Sequence, residues 1–311
     1  MRAIVAGMAI GCALVCAACT ASSSEGGGEG EAVRAATAVS VVDDRGRRVV
    51  LPRPARRIAS LSPANTETLF AVGCGDRVVL RDRVSDHPAA ARRIPATDPF
   101  QLSPEHVAGY RPDLVLLSHA EPSRTVALRR AGVPVAVLDP RTLGQLYDNI
   151  KAVARLCGAG QAAQRLVQQL QRRVESVRRR VAGLPRPAVY LEFDGSDPAR
   201  PWTAGPGSLA DEALSVAGGR NIFDRPLAQP YAQVNAEQVI RSDPEVVVVA
   251  VDERRGRPAR GLQQRPGWGQ LSAARRGRVI ETIPADLLGR PGPRLVQGIE
   301  ALARALHPVA R

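Results

Sequence analysis

Apolar residues along this chain fall alternately into short continuous runs and into stripes at helical spacing. Val39 to Asp43 and Arg48 to Leu51 read as two short strands around the turn Asp44-Arg45-Gly46. A strand-helix alternation then begins, with strands expected at Arg57 to Leu61, Arg77 to Leu80, Asp113 to Ser118 and Val133 to Leu138. Helices separate them: one from Ser62-Pro63 to Gly73, one near Pro104 to Tyr110 and one over Ser123 to Ala131. Ser62 suits an N-cap and Pro63 the first helical position, where no amide hydrogen is required. The pattern then becomes wholly helical. Leu143 to Leu156 forms one helix, Cys157-Gly158-Ala159-Gly160 breaks it, and Gln161 to Ala182 forms a second. Beyond Gly183-Leu184-Pro185 the alternation resumes with strand Ala188 to Phe193, helix Leu209 to Ala217, strands Glu245 to Val251 and Gly277 to Thr282, and a closing helix Pro293 to Leu306.

The second of the paired helices carries Ala163, Val167, Leu170, Val174, Val177 and Val181 at alternating spacings of four and three. One face is therefore apolar and the other wet. At 1.5 Å per residue it spans roughly 33 Å, enough to cross from one lobe to another; a coiled coil is the alternative reading of the same stripe. A pattern on either side of it occurs twice. Ser103-Pro104-Glu105-His106-Val107 leads to Pro112-Asp113-Leu114-Val115, and Asn235-Ala236-Glu237-Gln238-Val239 leads to Pro244-Glu245-Val246-Val247. In both, Glu lies two positions after the cap and seven before Pro. Glu67-Thr68-Leu69 running to Gly73 matches Glu212-Ala213-Leu214 running to Gly218 at equal spacing. The expected fold is α/β, with two similar lobes joined by one long helix and a ligand cleft between them. Helix starts at Ser62 and Ser208 are placed to aim amides into that cleft. Glu105 and Glu237 have a plain alternative role, as first-turn acids complementing a helix dipole.

The N-terminus speaks about location. Arg2 precedes the apolar run Ala3 to Ala18, then Cys19 and an abrupt turn to Ser, Gly and Glu, which is the form of a signal peptide. Residues 1–18 are expected to leave, residues 19–38 to form a tether with a lipid on Cys19, residues 39–141 and 185–311 to form the lobes, and residues 142–184 the helical segment between them. Plain secretion and a retained helix are the alternatives to the lipid anchor. Two cysteines, Cys74 and Cys157, remain in the folded part, and buried free thiols are expected there in preference to a disulfide.

Composition excludes more than it assigns. Of the net charge of +13, nearly all comes from arginines scattered through helices and loops, since Lys151 is the only lysine. Aromatics are 3%, so neither a basic stripe nor a stacking platform for nucleic acid is indicated. No Gly-x-Ser-x-Gly elbow and no phosphate loop with Lys is present, and the four histidines, His87, His106, His119 and His307, show no helical metal spacing. An enzyme is not expected, and neither a structural metal nor a cofactor. A zinc or manganese receptor would need several converging His and carboxylate ligands, and a structural envelope protein would not need two matched lobes.

From Arg57 to Pro308 the chain resembles the substrate-binding proteins of ABC importers for cobalamin, haem and iron-siderophores. The resemblance rests on Ser62-Pro63-Ala64-Asn65-Thr66-Glu67 with Gly73, Ser85-Asp86-His87-Pro88, Leu102 to Val115, Ala217 to Phe223, Val234 to Val239 and Arg290-Pro291-Gly292-Pro293-Arg294, in that order. It implies two Rossmann-like lobes on a rigid helix and a monomer that docks on a permease and its ATPase through one glutamate per lobe, here Glu105 and Glu237. Likeness to the cobalamin binders implies a ligand site formed by Pro63, Ala64, Asn65, Asp86, His87, Phe100, Trp202, Tyr231, Asp286 and Arg290. The bound group would be a transported corrinoid, with haem or a ferric siderophore as the alternative. Val84, Pro99 and His87 stand where those proteins carry Tyr, Trp and Tyr. His87 is either an ordinary loop histidine or a ligand to the metal of a bound corrinoid or haem. Trp268 is expected in the core.

Overall fold

The sequence pattern translates into short strands and helices in the expected order. The structure, a computed structural model, describes residues 38–98, 103–118, 122–223, 225, 227–250 and 261–308. An antiparallel hairpin, β1 (Val39–Val42) and β2 (Arg48–Leu51), opens the chain. The first lobe follows: β3 (Ile58–Leu61), α1 (Pro63–Ala71), β4 (Val78–Asp82), β5 (Ala96–Thr97), α2 (Pro104–Gly109), β6 (Leu114–Leu117), α3 (Pro122–Arg130) and β7 (Val135–Val137). Two helices, α4 (Leu143–Leu156) and α5 (Gly160–Val181), lead to the second lobe. It comprises β8 (Ala188–Asp194), β9 (Trp202–Ala204), α6 (Leu209–Val216), β10 (Arg220–Asn221), β11 (Tyr231–Gln233), α7 (Ala236–Ser242), β12 (Val246–Val249), α8 (Ser272–Arg275), β13 (Val279–Ile280), α9 (Ala285–Gly289) and α10 (Leu295–Leu306).

The first lobe's sheet is parallel, in the order β5-β4-β3-β6-β7. The second runs β11-β9-β8-β12-β13, with β10 also on β8, and its β9 and β11 are antiparallel. Strand order reverses between β3 and β6 and again between β8 and β12, so each sheet offers a crevice at the carboxyl ends of its central strands.

Side chains alternate between two environments along the central strands, as the pleat requires. Ile58, Leu114 and Leu116 face one core that continues through Leu146 and Ile150 of α4, Val167, Leu170 and Val174 of α5, and on to Val189, Leu214, Val246, Val248, Ile299 and Leu302 of the second lobe. Ala59, Leu61, Val115 and Leu117 face a separate cluster with Val107 of α2 and Leu128 of α3. Tyr190, Val247 and Val249 do the same with Val239 of α7 and Trp268, which is 1% exposed as expected. Residues 38–311 accordingly form one compact unit. The lobes are joined by a continuous apolar core as well as by the stripe on α5, and core packing resists bending far more than a lone rod would.

The internal repeat holds in detail. Ser103 caps α2 by accepting from the His106 amide, and Asn235 with Gln238 forms a capping box on α7. Arg111 and Asp243, each immediately before the repeated Pro, adopt left-handed φ of 47° and 40°. The acid after each Pro then ties down the neighbouring strand: Asp113 accepts from the Arg56 and Arg57 amides and Glu245 from the Ala188 amide. Gly73 and Gly218, the ends of the weaker repeat, have φ of +82° and +83°, which glycine adopts without a Cβ clash.

One expectation is overturned. Cys74 and Cys157 are joined as a disulfide, with Cα atoms 6.5 Å apart, rather than left as free thiols. The cause is Arg77, which donates to the carbonyls of Cys157 and Ala55 at 2.6 and 3.1 Å and so docks the turn after α1 onto the end of α4. Cys19 and the rest of the expected signal and tether lie outside the described residues, apart from Ala38. Among the described residues no helix is long and apolar enough to cross a membrane.

Candidate functional site

At the carboxyl end of β4 the chain is folded tightly. Arg81, buried, donates from Nε to Ala91 O and from Nη1 to Asp82 O. Asp82 accepts from the Val84 amide at 2.8 Å and from the Ser85 hydroxyl, and burial holds its carboxyl above the ordinary value despite those donors. This turn presents Asp86, His87 and Pro88, with the His87-Pro88 bond cis. His87 is exposed. Desolvation, helped by the positive charges of Arg294 and Arg290, holds its pKa below the ordinary 6.5. The imidazole is therefore neutral at pH 7 and becomes charged only as pH falls through its lowered midpoint. In an NMR titration of the mature protein, His87 should titrate below pH 6.5; a midpoint above that value would contradict this electrostatic picture.

Facing this loop are Asp286 of α9 and Arg290 just after it. Arg290 is 7% exposed, and its Nη1 lies 2.9 Å from Asp86 Oδ1 while its Nη2 lies 2.9 Å from Asp286 Oδ2. Beside them Arg294 Nη2 lies 2.6 Å from Glu67 Oε1 on α1. Pro63 and Ala64 form the first turn of α1 at the same place, since a Cβ on Gly292 would lie 3.3 Å from Ala64 Cα. Asn65, expected as a ligand residue, is as buried as Ala64, at 4% exposed, and its Nδ2 donates to Leu117 O at 3.2 Å, tying α1 to β6. Ser62 precedes α1 with extended backbone but its hydroxyl makes no cap, whereas Ser208 caps α6 by accepting from the Asp211 amide.

On the second lobe, Trp202 pairs with Asp194 at the carboxyl end of β8 and with Gln233 of β11. Trp202 and Tyr231 are 43% and 36% exposed, unusual for large aromatics. Tyr231 packs edge-on against Phe193, ring centroids 5.7 Å apart. Burial of its hydroxyl end near the Ala210 amide pushes its pKa up to about 12, so it stays a neutral phenol. Phe193 in turn touches the α9 terminus, for a Cβ on Gly289 would sit 3.5 Å from its ring. A continuous path thus runs from Arg290 through Phe193 and Tyr231 to the Trp202 strand. Phe193, Glu67 and Arg294 were given no role from sequence. Phe193 could have been found from the alternation Tyr190-Leu191-Glu192-Phe193, whereas Glu67 carries no local signal of its distant partner. Phe100 lies outside the described residues. Among those described, no group of three or more His, Cys, Asp or Glu is placed to hold a metal ion.

Glu105 and Glu237 are exposed in the first turns of α2 and α7, the helices that cover the outer face of each sheet. The Ser103 hydroxyl donates to Glu105 Oε2 at 2.6 Å and holds that carboxyl below its ordinary pKa. A further cavity of about 560 Å³ surrounds the end of α5, between Arg180, Leu184, Arg186, Arg278 and His307, and includes none of the residues above.

Comparison with known proteins agrees with the two-lobed fold. The chain is 26% identical over 278 residues to the ABC transporter substrate-binding lipoprotein YvrC of Bacillus subtilis, covering 87% of this chain and 86% of that protein. It is 30% identical over 261 residues to the vitamin B12-binding protein of Salmonella typhimurium, covering 82% and 91%. The solved periplasmic heme-binding protein RhuT from Roseiflexus sp. RS-1 superimposes with a TM-score of 0.71 at 28% identity, covering 81% and 97%. The profile of the periplasmic binding protein family matches residues 58–285, from the start of β3 to the first residue of α9, and the chain belongs to that family of binding proteins, not to a class of enzymes.

Proposed function

We propose that the chain is the extracytoplasmic receptor of an ABC importer, held at the membrane by lipid on Cys19, and that it captures a corrinoid between its lobes as a monomer and hands it to the permease and ATPase. The observation that carries this reading is a pair of exposed aromatics on neighbouring strands, Trp202 and Tyr231, the second edge-on against Phe193. Two large aromatics left this exposed beside a sheet crevice suit a broad, flat, largely uncharged cargo. The vitamin B12-binding relative supports the same cargo. Asp286, Arg290 and Asp86 supply the few polar groups that orient the cargo, and Pro63, Ala64 and His87 form the opposing wall. Glu105 and Glu237 dock on arginines of the permease, and the cargo is transported substrate, not a cofactor.

Haem is the second reading, favoured by one observation: an exposed imidazole, His87, that is neutral at pH 7 and so free to ligate iron. A thermal-shift panel of cyanocobalamin, cobinamide, haemin and ferric siderophores separates the two. Cargo at about 100 times its Kd should add roughly 2.7 kcal/mol of stability. A shift with the corrinoids alone supports the proposal. A shift with haemin alone, accompanied by a haem spectrum that His87→Ala abolishes, replaces it.

A further inference from the structure

Behind the cleft the lobes share an apolar core, but at its floor they meet through charge. Glu67 and Asp86 belong to the first lobe, and Arg290, Arg294 and Asp286 to the second. We propose that Glu67, Asp86, Arg290 and Arg294 form a clasp across the cleft floor that sets the cleft's width, with Glu67 and Arg294 acting as positioning residues for Arg290 rather than as ligand contacts.

The geometry is that of a fixed part. Glu67 is 4% exposed and its Oε1 lies 2.6 Å from Arg294 Nη2 and 3.8 Å from Arg290 Nη1. Arg290 Nη1 donates to Asp86 Oδ1 of the opposite lobe at 2.9 Å, while its Nη2 lies 2.9 Å from Asp286 Oδ2 of its own lobe as an ion pair that lacks hydrogen-bond geometry. Because a guanidinium is a rigid planar fork, the Asp86 hydrogen bond and the flanking Asp286 and Glu67 carboxylates hold it in position. Gly292 lets the two backbones approach: a Cβ there would lie 3.2 Å from Glu67 Oε2 and 3.3 Å from Ala64 Cα. Glu67 Oε2 and Arg294 Nε are enclosed and make no hydrogen bond among the described residues. Such a site tolerates little displacement, since drawing the lobes apart here leaves buried charges without partners.

The clasp and the shared core attach the lobes at two separate places, so neither acts as a free hinge. The cleft is set to its width before cargo arrives. On the transport reading above, the permease must pull the clasp apart to release the cargo.

The test uses ligand-free mature protein spin-labelled at Arg130→Cys on α3 and Arg241→Cys on α7, two exposed positions on the outer helices of the two lobes. Electron-electron resonance should give one narrow inter-lobe distance. Glu67→Gln and Arg294→Gln should each broaden it and shift it outward, and the double variant should do no more than either single, as partners in one contact require. Fully additive broadening, or distributions that superimpose on the parent in folded variants, would overturn the proposal. Should Glu67→Gln fail to fold, Asp86→Asn carries the test, since Asp86 is a quarter exposed and spans the same gap: broadening supports the clasp and superposition overturns it. No cargo is present, so a negative result here leaves the cargo assignment standing, and a failed cargo assay leaves the clasp standing.

Discussion

Cells carrying Glu105→Ala together with Glu237→Ala are expected to lose import, while the purified double variant binds its cargo with unchanged affinity. Both carboxylates are exposed at the starts of short helices on the outer faces, one on each lobe, and belong to the two copies of one repeated unit. Neither side chain takes part in the core, so folding should be indifferent to its removal. On the proposed function, each meets an arginine of the permease in a charge-assisted pair. Losing one partner of such a pair costs about 2–5 kcal/mol once water is excluded. The two together therefore lower docking affinity by a factor of roughly 1,000 or more. Uptake of labelled cobalamin in cells and calorimetry on the protein check the two halves. Lost affinity in the purified variant would mean that these residues serve the cleft; normal uptake would mean that they serve nothing at the permease.

The largest expected effect on stability lies elsewhere, at Glu192. This residue ends β8's buried stretch and binds Arg265 through both oxygens, at 2.7 and 2.8 Å, with the two side chains 0% and 3% exposed. Arg265 also lies over the Trp268 ring, 5.0 Å from its centroid. Burial alone would lower the pKa of Arg265, but the Glu192 pair outweighs it, and the same surroundings hold the Tyr190 phenol well above its ordinary value. Glu192→Ala leaves a buried guanidinium uncompensated, at a cost of about 3–5 kcal/mol. For a domain of this size that corresponds to a fall in Tm of roughly 10 °C. Glu192→Leu with Arg265→Met should recover most of the loss, because apolar replacement removes the desolvation penalty along with the attraction. A single variant melting within about 2 °C of the parent would contradict this, since effects that small belong to exposed pairs.

Much of the architecture is legible in the sequence, and the reason differs from element to element. Helix α4 falls where expected, at Leu143–Leu156, and α5 differs from expectation by one residue at each end, because amphipathic stripes of that length read as helix whether they pack within the chain or in a coiled coil. The twofold unit is legible because its signal is local: cap, Glu, Pro and apolar strand within a dozen residues. The short strands β9 and β11 are not, since three residues carry no period, and these are the strands that carry Trp202 and Tyr231. Helix α1 falls where expected, at Pro63–Ala71, but the burial of its polar residues is hidden for another reason. Asn65, Thr66, Glu67 and Thr68 are all buried, each matched by a partner such as Leu117 O, Ser60, Arg294 or Ala64 O. A buried polar residue that is satisfied looks, in sequence, like an exposed one. The pair Glu67 and Arg294 is 227 residues apart, and the disulfide joins residues 83 apart, distances over which no spacing rule operates.

The cargo assignment stands or falls on a calorimetric titration of cyanocobalamin into the mature protein and into Trp202→Ala. The account predicts one-to-one binding to the parent, weakened about tenfold or more without the indole, since an aromatic contact of this size is worth on the order of 1.5 kcal/mol beyond its buried area. Absence of binding to the parent, or full affinity in the variant, would contradict it.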